Sequence, residues 1–268
     1  MKALLPAFIA ITSSFGALSM AEPMKIEVRR LPESAAATTR FLNPEYVVAS
    51  PAAAQATDKT PLLIFLHGAG ERGTDLTQLK SVPPIRHFSQ QTEQPFLIVV
   101  PQCAPDKAGK KDEWQAADLE VLFKQLEKDQ PFDKSRVYLI GYSMGGYGTW
   151  LWGSAHPERF AGLAPHAGGL GSGGPRAVSP DLTGWAKRLA PLPIWIFHGD
   201  RDNVVPPERS ERMHTLLKSA GAKQVRLTIL AGQGHGIGGN LSNPELYAWL
   251  LRHRRQGNQV VENPLPIK

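Results

Sequence analysis

One cysteine, Cys103, stands in 268 residues. A lone cysteine excludes an internal disulfide and any paired C-x-x-C metal knuckle. No H-E-x-x-H or facial-triad spacing is present and the eight histidines are scattered, so no metal is expected. The glycine-rich loops around Gly68 and Gly145 lack the G-K-[ST] ending of a phosphate cradle, and no cofactor is implied. Lys and Arg exceed Asp and Glu by 30 to 24, a formal charge of +6, yet no basic stripe is interleaved with aromatics. Nucleic acid is thereby excluded as a partner. The one basic run, Arg252-His253-Arg254-Arg255, follows an apolar helical stretch and reads as the cap on its C-terminal end.

Beyond residue 21 no apolar run is long enough to span a bilayer. Residues 1–21 carry one charge, Lys2, then an apolar run broken by Pro6, Thr12, Ser13, Ser14 and Gly16, and end Ser19-Met20-Ala21. That pattern predicts a signal peptide cleaved near Ala21 and export to a periplasmic or extracellular space. Cys103 lies past the cleavage site, so no lipid-anchored cysteine heads the mature chain. Residues 22–268 are long enough, at 42% hydrophobic over the whole sequence, to fold as a single domain with one substantial core. Oligomeric state is not legible.

What the sequence does have is a series of short apolar runs. Residues 25–31 and 45–49 read as two short strands; 61–67 (PLLIFLH), 96–100, 137–140, 194–197 and 225–230 read as buried strands. Helical patterns lie between and after them at 114–128, 146–155, 207–220 and 244–253. Alternation of this kind predicts an α/β fold, a mostly parallel central sheet with helices on both faces. Ligands of such sheets sit beyond the carboxyl ends of the strands. There the sequence places His67-Gly68-Ala69-Gly70, then Gly141-Tyr142-Ser143-Met144-Gly145, then His198-Gly199-Asp200-Arg201-Asp202, and finally Gly232-Gln233-Gly234-His235.

Gly141 to Gly145 match G-x-S-x-G, a sharp strand-to-helix turn that pushes a serine hydroxyl into solvent, with glycines relieving the crowding. A serine hydroxyl needs a base within reach and a group that orients the base. Ser143 is therefore the candidate nucleophile. His235 is the candidate base, in a loop over 232–240 too glycine-rich for a helix. His67 and His198 read as structural, and His166 as a residue that could line the site. The orienting acid is Asp202 or Asp200; Asp202, ahead of the turn Asn203-Val204-Val205-Pro206, is preferred, leaving Asp200 as an acceptor of backbone N–H groups. A tetrahedral intermediate needs fixed donors for its oxyanion. These are the N–H of Met144 and that of Ala69 in the small-residue loop after residue 67. Trp114 and Trp150 are expected in the core or at its rim.

Taken together, LHGAGERG (66–73), VVPQC (99–103), YLIGYSMGGYGTW (138–150), PIWIFHGDRDNVVP (193–206) and GQGHG (232–236) resemble the α/β-hydrolase superfamily. More narrowly the chain is similar to secreted esterases of the phospholipase/carboxylesterase and polyhydroxybutyrate-depolymerase-like group, some of them described as peptidases. The likeness runs from about residue 61 to 251. It implies a triad of Ser143, Asp202 and His235, oxyanion donors Ala69 and Met144, and cleavage of small-molecule or polymer-linked carboxylic esters. Two departures stand out. Gly236-Ile237-Gly238-Gly239 follows the histidine where relatives often carry an acid or an aromatic. Residues 166–189 are glycine-rich without an evident apolar helix, so no large lid is expected and the site should be open. Alternatives are a serine peptidase with the same triad, or a catalytically silent polymer-binding protein. If His235 is the base, activity should rise with pH, because an ordinary imidazole is almost wholly protonated below about pH 5.

Overall fold

The computed structural model describes residues 24–51, 57–91, 94–110 and 113–262. The expected signal peptide lies outside the described residues. Eight strands form one sheet: β1 (Lys25–Arg30), β2 (Glu45–Ser50), β3 (Pro61–Leu66), β4 (Leu97–Val100), β5 (Asp133–Tyr142), β6 (Gly162–His166), β7 (Ile194–Gly199) and β8 (Val225–Leu230). Their order is β1-β2-β4-β3-β5-β6-β7-β8. β1 and β2 run antiparallel to their neighbours, and every pair from β4 to β8 is parallel.

Helices cover both faces because each central strand is apolar on both. In β3, Leu62, Ile64 and Leu66 join one core, with Trp150, Trp152 and Leu163. Leu63 and Phe65 point the other way into a second core, with Tyr138, Tyr247 and Trp249. Successive side chains of a strand face opposite sides, so an unbroken apolar run feeds two cores at once. The helices are α1 (Glu33–Ala36), α2 (Pro83–Ser89), α3 (Ala116–Asp129), α4 (Met144–Ala155), α5 (Leu182–Leu189), α6 (Glu208–Ser219) and α7 (Pro244–Leu251). Residues of α3, α4, α5 and α6 enter the first core; residues of α2 and α7 enter the second.

Three readings of the sequence are corrected. β6, GLAPH, is a strand although its glycine and proline disguise it; it pairs between β5 and β7 and is buried throughout. α5 does exist within the glycine-rich region, with Leu182, Trp185, Ala186 and Leu189 as its buried stripe. The start of the basic run caps α7 as expected, with Arg252 as its C-cap residue and His253 Nδ1–H donating to Trp249 O at 2.8 Å. The run then continues as β9 (His253–Gln256), which pairs with β10 (Gln259–Glu262), and Arg255 donates to the carbonyls of Pro157 and Phe160. The loop carrying His235 also turns helical, as a 3-10 turn over Ile237–Ser242. Trp114 and Trp150 are buried as expected.

Candidate active site

The turn from β5 into α4 carries Ser143 at φ 56° and ψ −114°. A non-glycine residue in that region is strained by about 1–3 kcal/mol and persists only where its surroundings hold it. Two backbone bonds do so: Ser143 N–H donates to His166 O at 2.8 Å, and Tyr147 N–H to Ser143 O at 3.0 Å. The flanking glycines relieve crowding, as read in the sequence. A Cβ on Gly145 would lie 1.8 Å from Leu66 O, and one on Gly141 2.2 Å from Gly145 O. Glycine is demanded there by close approach of backbones, while the unusual dihedral falls on the serine.

Ser143 Oγ lies 2.8 Å from His235 Nε2, and His235 Nδ1 lies 2.7 Å from Asp202 Oδ2. A carboxylate only accepts, so Nδ1 carries the proton and Nε2 offers its lone pair to the serine hydroxyl. Asp202 is wholly buried, and the His235 side chain is 20% exposed. Asp202 Oδ1 accepts from the N–H groups of Val204 and Val205, each at 2.9 Å. Collecting backbone N–H groups was the part expected of Asp200, which instead is exposed. Of the two, Asp202 is the one the fold brings to His235, because the turn after β7 separates them.

Met144 is the first residue of α4 and Ala69 the first of a 3-10 turn, Ala69–Glu71. First-turn N–H groups have no partner inside their own helix. Both residues line, with Ser143, a cleft of about 210 Å³ whose walls include Tyr147, Gly169, Pro175 and Val204. His67 fixes the Ala69 loop from below: its Nε2 accepts from Cys103 N–H at 3.0 Å, so its Nδ1–H donates to Gly68 O at 2.6 Å. Burial lowers its pKa to about 4. His166 is likewise buried, lowered to about 4, and stacked on Phe197 at 4.4 Å. It does not line the cleft side chain first; its carbonyl holds Ser143.

Two contacts escaped the sequence. Tyr142, the second residue of G-x-S-x-G, donates its hydroxyl to His235 O at 2.6 Å. His198 Nε2 lies 2.9 Å from Val205 O and 3.2 Å from Asp202 Oδ2. Neither distance has a sequence signal: the first joins segments far apart in the chain, and the second depends on how the turn after β7 folds back on the strand. The turn Asp202-Asn203-Val204 does have one, the aspartate that bonds its own backbone two residues on. Among the described residues no group of three or more His, Cys, Asp and Glu could hold a metal ion, and no helix is long and apolar enough to cross a membrane.

An elbow serine, a strand-end histidine and a strand-end carboxylate on a mostly parallel sheet define the α/β-hydrolase fold. The sequence model of the dienelactone hydrolase family matches residues 102–243, and the chain belongs to that family. The matched span includes Ser143, Asp202 and His235. A bifunctional acetylxylan esterase/xylanase of Neocallimastix patriciarum is 28% identical over 159 residues, 57% of this chain and 21% of that protein. Poly(3-hydroxyalkanoate) depolymerase C of Paucimonas lemoignei is 24% identical over 233 residues, 66% of this chain and 55% of that one. The chain thus spans about a fifth and about half of the length of these two curated relatives. Among solved structures, a thermostable esterase superposes with a TM-score of 0.67 at 27% identity, over 88% of this chain and 64% of that one. A ferulic acid esterase of Anaeromyces mucronatus, solved with ferulic acid, shares the fold at a TM-score of 0.62 and 16% identity, over 85% of this chain and 90% of that one.

Proposed function

We propose that this chain is a serine carboxylesterase that works through an acyl-enzyme on Ser143. The observation that carries the reading is the line from Ser143 Oγ through His235 to Asp202, at 2.8 and 2.7 Å. Ser143 Oγ attacks the ester carbonyl carbon as its proton passes to His235 Nε2. The N–H groups of Ala69 and Met144 receive the oxyanion, and one such donor is worth about 10²–10³ in rate. Collapse breaks the bond to the alcohol oxygen, which takes the proton from His235. Water then repeats the sequence on the acyl-enzyme, releasing the acid and restoring the serine. Asp202 holds the imidazole in the tautomer that accepts from serine.

The cleft is small and walled by Met144, Tyr147, Pro175 and Val204, which suits a short acyl group. His235 remains partly exposed and Val204 is 44% exposed, leaving the alcohol side open to a bulky or polymer-linked partner. Esters of a short acid on a polymer fit both features; acetylxylan, in the name of one relative, is of that kind, and poly(3-hydroxyalkanoate), in the name of the other, is a polymer whose own links are esters. Export is the accompanying reading, supported by the pattern of residues 1–21, with residues 22–268 as one domain.

The test is hydrolysis of p-nitrophenyl acetate, butyrate and octanoate by the wild type and Ser143→Ala. Expected are turnover falling from acetate to octanoate and a loss of at least about 10³-fold in the variant. Absence of turnover together with absence of fluorophosphonate labelling at Ser143 would overturn the reading. Labelling without p-nitrophenyl turnover would move the substrate from simple esters to peptides.

A further inference from the structure

His198 ends the apolar part of β7 and is fully buried. Its surroundings settle which nitrogen carries the proton. Nε2 faces Val205 O at 2.9 Å and Asp202 Oδ2 at 3.2 Å, both acceptors only, while Nδ1 lies 2.6 Å from Ser210 Oγ. The neutral ring that satisfies all three has its hydrogen on Nε2 and accepts the Ser210 hydroxyl at Nδ1. Burial lowers the pKa of His198, which favours this neutral form.

The Asp202 carboxylate then has a donor on every side. Oδ1 accepts from Val204 and Val205, and Oδ2 from His235 at 2.7 Å with His198 beside it at 3.2 Å. The Nε2–H of His198 is shared between Val205 O and Oδ2, so one ring ties both ends of the 202–205 turn. Without it, Oδ2 would be fixed by His235 alone, the group it is required to orient. Ser210, buried on α6, sets the ring in turn. The support thus reaches from a helix, through β7, to the acid.

We propose that His198 is a positioning residue for the esterase reaction: a second imidazole on Asp202 that fixes the carboxylate oxygen to which His235 is bound. This rests on the triad reading above. His198 touches neither the substrate cleft nor Ser143, so its effect should fall on the chemical step and leave substrate binding alone.

The test compares His198→Asn with His198→Gln. The Asn amide can keep the contact with Ser210 but stops short of Oδ2; the Gln amide extends to the position of Nε2. Expected for Asn is a kcat lower by about 10-fold or more with KM within two-fold, and for Gln recovery of most of the loss. The Nδ1–H proton of His235, identified by its disappearance in Asp202→Asn, should shift in the far-downfield NMR spectrum of the Asn variant and return toward its wild-type position in Gln. His198→Leu replaces the Asn variant if that protein does not fold, with the same expectation. A donor-less variant with wild-type kcat overturns the proposal, as does an equal loss in Asn and Gln with the His235 resonance unmoved, which would mean packing alone. The spectrum needs no substrate, so it decides for or against His198 even if no ester is turned over. A wild-type rate in Asp202→Asn would strike the triad reading itself and this inference with it.

Discussion

The elbow around Ser143 and the loop around His235 are both rich in glycine, and they use it for opposite purposes. At the elbow the glycines are spaces: a Cβ on Gly145 or Gly146 would meet backbone atoms of Leu66 or of Gly168 and His166 at 2.7 Å or less. In the loop, Gly236, Gly238 and Gly239 have nothing within 4 Å of where a Cβ would be. The elbow is packed backbone on backbone throughout, whereas the His235 loop is packed so only at its start, where a Cβ on Gly199 would lie 2.3 Å from Gln233 O, and has open space around the glycines that follow the histidine. Ser143 needs the first kind of support because its dihedral is strained. His235 has its position fixed by polar contacts to Asp202 and Tyr142.

The largest effect should come from filling a space at the elbow. Gly145→Ala is expected to cost about 3 kcal/mol or more and to lower Tm by about 6–12 °C, read by thermal unfolding. A stable, active Gly145→Ala protein would break the distinction. Next comes acid. His67 and His166, which support the two sides of the elbow, have pKa values lowered by burial from 6.5 to about 4. The unfolded chain therefore binds protons that the folded one refuses, so their contribution is intact above about pH 6.5 and is lost as pH falls toward 4. Each should remove about 3 kcal/mol over that range, since a tenfold difference in proton affinity between the folded and unfolded chains is worth about 1.4 kcal/mol. Denaturant unfolding at stepped pH measures it. His67→Gln should flatten the slope by one proton.

Tyr142→Phe sharpens the comparison from the other side, by removing the hydroxyl that ties the loop to the elbow. A loss of about 1 kcal/mol is expected, seen as a several-fold lower kcat with little change in Tm. The smallest effect belongs to the open loop. Gly238→Ala should stay within about 0.5 kcal/mol and two-fold in kcat; a collapse of activity there would show that the loop also depends on close approach.

Much of the fold was legible because apolar runs in a two-faced sheet leave little choice. β8 falls on its expected residues, and β2, β3 and β7 within two of theirs. β6 was not legible, since Gly162 and Pro165 are poor strand formers that only pairing on both sides makes into a strand. α5 hid behind glycines before it, and β9 behind its arginines. At the site, Ser143, His235 and Asp202 were named from strand ends, and the structure brings these three side chains together. Asp202 was preferred over Asp200 from the turn that follows it, and the folded turn is what brings Asp202 to His235.

What the sequence determined by itself is a set of positions along the chain: apolar runs of strand length, and the reactive residues that follow them. Local chemistry carries that information, since hydrophobic period, turn residues and the G-x-S-x-G spacing act over a few residues. Only the tertiary structure decided which groups meet. Cβ clearance at Gly145 against Leu66, the hydroxyl of Tyr142 on His235, and the ring of His198 on Asp202 join segments separated in sequence or turned back on themselves. Such contacts depend on distances of a few tenths of an ångström between elements, and those are set by how the two cores pack against the sheet.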